Sequence, residues 1–375
     1  GHLMLGIKGG HLMRVSGIFF AAIVAGAIVN TQSVAQQFDD VTICFRKTEG
    51  TQNKFGGDQV MQACTNFVNS KSGSVEDRWR AAIWLARVWY ASILTSWSGE
   101  GSFGSMDTSI VLPLPHRVID HPDQQTIKDL YDHTLAAYGA AIQVDPQNPD
   151  GYKERALVLR DAGDLDRAIA DYDAALRLKP GDADLLIERG NTWRGKGDLI
   201  KAISDYSDDI KLFPFYLDAY KLRGFAYLLN GDAAAAVADL SHANKRADAY
   251  TSLLLFIARG RNGEDGTEEL KANSARVLSE QWPRQMIEYY LGDTQPFEKI
   301  YTKDQLGRQL YGKSLCEARF YLGERYLLQK DSNDAGAQFR EAVASCPSLA
   351  VVSYAGHWEP IEYDGASIEL KRLGR

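Results

Sequence analysis

The chain repeats itself every 34 residues, and no other feature limits its fold so severely. Gly163-Asp164-Leu165, Gly197-Asp198-Leu199 and Gly231-Asp232-Ala233 stand at that spacing. In the same register Ala156, Gly190 and Gly224 form one column, and Ala168, Ala202 and Ala236 form another. Leu159, Trp193 and Tyr227 make a large apolar column, Tyr172, Tyr206 and Leu240 a second, and Pro180 and Pro214 close two of the units. A period of this length means one supersecondary unit per repeat, with an apolar face that is covered only when the next unit stacks on it.

The columns fit two antiparallel helices per unit, with small residues where the helices cross closely and large ones filling the space beside the crossing. Glycine-aspartate marks the turn between the helices, and proline stops the second one. The expected fold is therefore all-α, a right-handed α-solenoid. More units follow from the register. Residues 132–146 read as a second helix, with Tyr138 and Ala141 in the expected columns, and residues 78–96, rich in Trp79, Trp84, Trp89 and Tyr90, read as its first-helix partner. An insertion at 97–122 separates the two. Residues 316–347 make a complete unit with Leu322, Gly323, Tyr326, Ala335, Phe339, Ala342 and Pro347 in register, whereas 250–291 is helical but degenerate. The organisation expected is an N-terminal element at 36–74, a solenoid at 75–358 and a polar capping helix at 359–375.

One column carries charge. Arg155, Arg189 and Arg223 are each followed sixteen residues later by Asp171, Asp205 and Asp239, and the last unit replaces both partners with Leu322 and Gln338. An arginine and a carboxylate on antiparallel partner helices would form a desolvated, bidentate pair. Losing both together is what an obligate pair requires, since a lone buried charge costs several kcal/mol by rough estimate. Binding of an anionic ligand by these arginines is the weaker alternative.

Sites for chemistry are hard to find. Gly99-Glu100-Gly101-Ser102-Phe103-Gly104 matches a dinucleotide-binding string, but a tryptophan-rich helix precedes it where that fold needs a strand. There is no H-E-x-x-H, no G-x-S-x-G and no C-x-x-C. His116 and His121, with Asp120 and Asp123, form the single cluster resembling a metal or acid-base site, and a solvated loop is its better reading. His133, His242 and His357 are scattered over other units. No catalytic residue, metal or cofactor is therefore expected.

The N-terminal segment reads as upstream residues followed by an export signal. Gly-His-Leu-Met occurs at 1–4 and again at 10–13, so Met13 is the expected start. Arg14 then precedes an apolar run at 15–29, and Ser33-Val34-Ala35 is a small-x-small cleavage site. A run of about fifteen apolar residues is short of the roughly 20 a membrane span needs, which leaves an uncleaved anchor as the alternative. Past residue 35 there are 40 basic and 49 acidic side chains, a balance against a general nucleic-acid or anionic-membrane binder. Export permits disulfides. Cys44 and Cys64, and Cys316 and Cys346, form two local pairs, the second at the open ends of one helical hairpin, so these are the bridges expected, with four buried free thiols as the alternative.

Residues 78–347 resemble the tetratricopeptide repeat family, which implies a protein- or peptide-binding solenoid. Residues 224–260, with Asp239-Leu240 and the 249–258 helix, and 316–347, with Phe320-Tyr321-Leu322-Gly323, resemble the periplasmic lipoprotein repeat adaptor that docks a C-terminal processing protease onto peptidoglycan hydrolases. The leader departs from that resemblance by lacking a lipid-accepting cysteine. Cys44 and Cys64, with 58–67 as a half-unit, resemble the N-terminal element of other exported bacterial repeat proteins. Together these readings imply a non-catalytic scaffold in the periplasm, or secreted, whose concave face binds a protease, a cell-wall enzyme or an envelope assembly component. A self-associating module, dimeric through its ends, and a glycan or small-molecule binder are the alternatives. The register assigns the concave stripe to Lys153, Leu157 and Arg160, then Ile187, Asn191 and Arg194, then Lys221, Phe225 and Leu228. On this reading the apolar members are solvent-exposed anchors and the bases orient an acidic group. Cover by a neighbouring unit or by the 97–122 insertion is the competing reading.

Overall fold

The computed structural model describes residues 44, 57–70, 72–98, 124–277, 283–292, 307–345 and 361–374. They contain fifteen α-helices and no strand. The chain divides into two compact units, Gly1–Ser72 and Gly73–Arg375.

The first unit contributes one described helix, α1 (Gly57–Asn69), which buries Val60, Cys64 and Phe67 on one face at helical spacing. Cys64 of this helix is disulfide-bonded to Cys44. The expected leader and its cleavage site at Ala35 lie outside the described residues.

The second unit is a run of helical pairs. α2 (Val75–Ser98) packs against α3 (Gln124–Val144), α4 (Pro149–Asp161) against α5 (Leu165–Leu178), α6 (Ala183–Lys196) against α7 (Leu199–Leu212), and α8 (Leu217–Asn230) against α9 (Ala233–Ala243). Each pair also packs on the next, which is what makes the array a solenoid. The degenerate stretch resolves into three shorter helices, α10 (Ala249–Arg261), α11 (Thr267–Ser274) and α12 (Arg284–Tyr290). A last pair, α13 (Gly307–Leu328) and α14 (Ser332–Ser345), precedes the final helix, α15 (Ile361–Arg372). Most of the 97–122 insertion, with His116, Asp120 and His121, lies outside the described residues, as do Asp123 and His357.

The glycine-aspartate turns do two jobs at once. Gly163, Gly197 and Gly231 adopt φ of +81°, +87° and +87°, the left-handed geometry that reverses the chain after a helix. The amide of the following aspartate bonds back to the carbonyl of Leu159, Trp193 or Tyr227 at 2.8–2.9 Å. The aspartate side chain then accepts the amide of Arg167, Lys201 or Ala235 at 3.1–3.3 Å and caps the second helix. Between the helices the small columns are needed for contact. A Cβ on Gly190 would stand 2.7 Å from Tyr206, and one on Gly224 2.8 Å from Leu240.

The main core runs through the second half of the solenoid, from Tyr206 through Phe225, Leu229, Leu254 and Ile257 to Phe320, Phe339 and Ala366. A smaller cluster of Leu159, Tyr172, Ala175 and Leu185 holds the earlier units. Among the described residues no helix is long and apolar enough to cross a membrane.

Candidate protein-binding surfaces

The charged columns lie between helices of each pair. Arg155 reaches Asp171 through Nε and Nη2 at 2.6 and 2.7 Å, Arg189 reaches Asp205 at 2.9 and 2.6 Å, and Arg223 reaches Asp239 at 2.7 and 2.9 Å. The three aspartates are buried and the arginines half-buried, so these guanidinium groups are occupied by the fold. Hydrogen bonding to Asp171, Asp205 and Asp239 raises the pKa of each arginine above its ordinary value. A second link joins neighbouring units. Arg189 Nη1 donates to Asp173 at 2.7 Å, and Arg223 Nη1 to Ser207 at 3.0 Å, both sixteen residues upstream. The corresponding residue for Arg155 is Gly139, whose Cβ would stand 3.9 Å from Nη1. The 16-residue offset was readable downstream of each arginine, but upstream it falls on Gly, Asp and Ser, which share no chemistry. In the last unit Leu322 is buried, and Arg319 bonds Gln338 at 2.8 Å.

The stripe assigned to the concave face lies on the first helices, but much of it does not meet solvent. Lys153 is half-buried beside Asp184 at 3.4 Å, Leu157 is half-buried, and Arg160 pairs with Glu188. Ile187 packs on the main core. Asn191 is buried and accepts the Tyr206 hydroxyl at 2.7 Å, and Arg194, 1% exposed, pairs with Asp364 of α15 at 3.1 Å. Lys221 is half-buried beside Asp218 at 3.2 Å. Phe225 and Leu228 are each 0% exposed, which overturns their reading as exposed anchors. The physical reason is cover from sequence-distant elements. Phe225 meets Phe320 of α13 edge-on at a 6.0 Å centroid distance, and α15 lies over it at Gly365. The helix expected to be a polar end cap packs on the last pair, α13 and α14, and also reaches the first helices α6 and α8.

Exposed apolar surface is found instead on the turn between α7 and α8. Leu212, Phe213, Phe215 and Tyr216 are 46, 50, 93 and 46% exposed, with only Pro214 between them. One repeat earlier the equivalent positions are Leu178, Lys179, Gly181 and Asp182, an ordinary polar turn. Asp182 there caps α6 by accepting the Leu185 amide at 3.1 Å, whereas Tyr216 makes no side-chain cap for α8. Giving up such a cap costs about 1 kcal/mol. The turn thus exposes three aromatic rings at a cost in local stability, the opposite of what folding alone favours. Reading across the repeat columns would have found it, because Phe-Pro-Phe-Tyr stands where Lys-Pro-Gly-Asp does one unit before.

One turn before this patch, Asp209 sits in the column of Ala175 and Ala243. It is 0% exposed, and neither carboxylate oxygen has a hydrogen-bond partner. Burial, assisted by Asp184, pushes its pKa up to about 6. No group of three or more His, Cys, Asp or Glu among the described residues is placed to hold a metal ion.

Residues 131–183 match the family model described as tetratricopeptide repeat. The chain is similar in structure to a tetratricopeptide repeat protein from Parabacteroides merdae, with 16% identity, 65% of this chain and 93% of that one covered, and a TM-score of 0.41. It is also similar to the C-terminal part of a repeat protein from Cytophaga hutchinsonii, with 14% identity, 77% and 90% covered, and a TM-score of 0.40. A third similarity is to YrrB, described as a repeat protein with an unusual peptide-binding site, with 17% identity, 58% and 97% covered, and a TM-score of 0.34. The family match and the repeat geometry agree on a tetratricopeptide-type solenoid, an architecture of protein-interaction scaffolds.

Proposed function

We propose that this repeat chain is a non-catalytic scaffold of the bacterial periplasm, and that it binds a partner protein through the aromatic turn between α7 and α8. The observation that carries the reading is the replacement of a polar, capped turn by Phe213, Phe215 and Tyr216, exposed together. Aromatic side chains give large contact area at low entropic cost and dominate binding energy where they anchor an interface. The exported setting, inferred from the apolar run at 15–29 and the small-x-small site, makes an envelope protein such as a processing protease or a cell-wall enzyme the expected partner.

Affinity capture of the mature chain from envelope extract, compared with Phe213→Ser combined with Phe215→Ser, tests it. Both side chains face solvent, so circular dichroism and the thermal midpoint should be unchanged while partner recovery falls at least ten-fold. Equal recovery by the folded double variant overturns the reading. The same protein examined by light scattering separates a partner scaffold from a self-associating module, because the substitutions would then dissociate a dimer. Cell fractionation checks the compartment.

A further inference from the structure

The C-terminal helix lies over first helices of the solenoid, joined to them by ion pairs as well as by Ile361, Ala366, Ile368, Leu370 and Leu373 on the main core. α15 buries Ile361, Glu362, Asp364, Gly365, Ala366 and Glu369, so half of its buried residues carry carboxylates. A helix that merely seals the end of a solenoid buries an apolar stripe. Here, besides such apolar contacts, each buried carboxylate meets a polar group from a different first helix. Arg194 of α6 donates to Asp364 at 3.1 Å, Arg261 of α10 to Glu369 at 2.9 Å, and the Tyr321 hydroxyl of α13 to Glu362 at 3.4 Å.

The two bases are held in place by the solenoid without help from α15. Arg194 Nη1 donates to Asn191 and to the Tyr206 hydroxyl, both at 3.1 Å, and Arg261 donates to the Leu228 carbonyl at 3.3 Å and to Glu324 at 2.5 Å. Between them the surface has room only for small residues. A Cβ on Gly365 would stand 2.9 Å from Phe225 and 2.6 Å from Phe320. Together these features read out a carboxylate, two small residues and a second carboxylate five positions after the first, as in Asp364-Gly365-Ala366-Ser367-Ile368-Glu369.

Desolvated ion pairs of this kind add little net stability, because removing both charges from water offsets most of their attraction. A cleft of about 290 Å³ also remains beside the end of α15, lined by Leu228, Gly231, Ala233, Arg261, Leu327 and Arg372. We propose that this inner face is a receptor for an acidic helix of the pattern Asp-Gly-Ala-x-x-Glu, that α15 is its occupant in cis, and that a partner protein's helix of the same chemistry exchanges with it. The surface is separate from the aromatic turn, so loss of partner capture through Phe213 and Phe215 and loss of helix exchange at Arg194 are independent results.

The test uses the full chain and a fluorescent peptide of residues 361–374, followed by anisotropy. Asp364→Arg sets like charges against Arg194 and weakens docking in cis, so this chain should bind the peptide at least ten-fold more tightly than the wild type. Adding Arg194→Ala should abolish that binding, because the base that reads the peptide's aspartate is gone and no opposite charge is left to re-dock α15 in cis. Equal binding by wild type and Asp364→Arg, or binding by neither, overturns the proposal. Amide hydrogen exchange on the wild type decides the matter if Asp364→Arg does not fold. α15 should then exchange at least 100-fold faster than α8, by local release. Equal protection of α15 and α8 would mean that α15 leaves only on global unfolding, and the receptor reading fails.

Discussion

Arg189 holds partners on two second helices, Asp205 of its own unit and Asp173 of the unit before, so one side chain fixes both the hairpin and the stacking. The two contacts differ in weight. Asp205 has 6% of its side chain exposed and Asp173 has 42%, so only the first pair is desolvated. Arg189→Leu strands the Asp205 charge and should lower stability by roughly 2–3 kcal/mol, somewhat below a fully buried pair because Arg189 keeps some water. Arg189→Leu with Asp205→Leu should lose less than the single change in urea melts; equal or additive losses would mean that the side chains act independently. Asp209 presents the reverse case, a carboxylate with no hydrogen-bond partner in a column of alanines. Its pKa in the fold is about 6 against an ordinary 3.8, so the unfolded state ionises more readily. Below pH 4 both states are protonated and the residue is neutral to stability; as pH rises through 6 the fold must hold a buried charge and loses stability. Asp209→Ala should therefore stabilise by roughly 1–2 kcal/mol at pH 8, a value discounted for solvent screening, with the gain vanishing near pH 4. A gain independent of pH would assign it to helix propensity instead.

At the scale of the helix and its turns, local chemistry decides most of what is seen. Gly197 takes φ of +87° between α6 and α7, and Asp198 caps the helix that follows. Gly197→Ala should cost about 1 kcal/mol in a thermal melt, because a Cβ is strained there whatever the space around it. These turns were legible in the sequence since both residues act within five positions of themselves. The turn at 212–216 obeys the opposite logic, and its test is a repair. Tyr216→Asp supplies the cap that Asp182 provides one unit earlier and should stabilise α8 by about 1 kcal/mol. The same change removes one ring from the aromatic patch, so stability should rise while partner recovery falls. Stability and recovery rising together would show that Tyr216 takes no part in binding.

At the scale of the whole molecule, covalent closure and long-range packing take over. Cys64 is bonded to Cys44 across 20 residues, a closure worth about 3 kcal/mol on the chain-entropy model. Cys316 is buried and disulfide-bonded, and its expected partner, Cys346, lies outside the described residues. Non-reducing peptide mapping should recover Cys44 with Cys64 and Cys316 with Cys346, and a cross-pair such as Cys64 with Cys316 would refute both. The sequence by itself determined the helical pairs, their turns and the arginine-aspartate columns, because each depends on residues a fixed short distance apart and recurs at 34. Reading Phe225 and Leu228 as solvent-exposed followed from the same periodicity, which assigns a residue to a face of its helix and says nothing about what covers that face. Only the tertiary structure decided that question. α15 lies 170 residues after Arg194 in the chain, and the Asp364 contact belongs to no repeat, so no column could announce it. Curvature brings α6, α8, α10 and α13 around one helix, and burial is set by that convergence rather than by any local pattern.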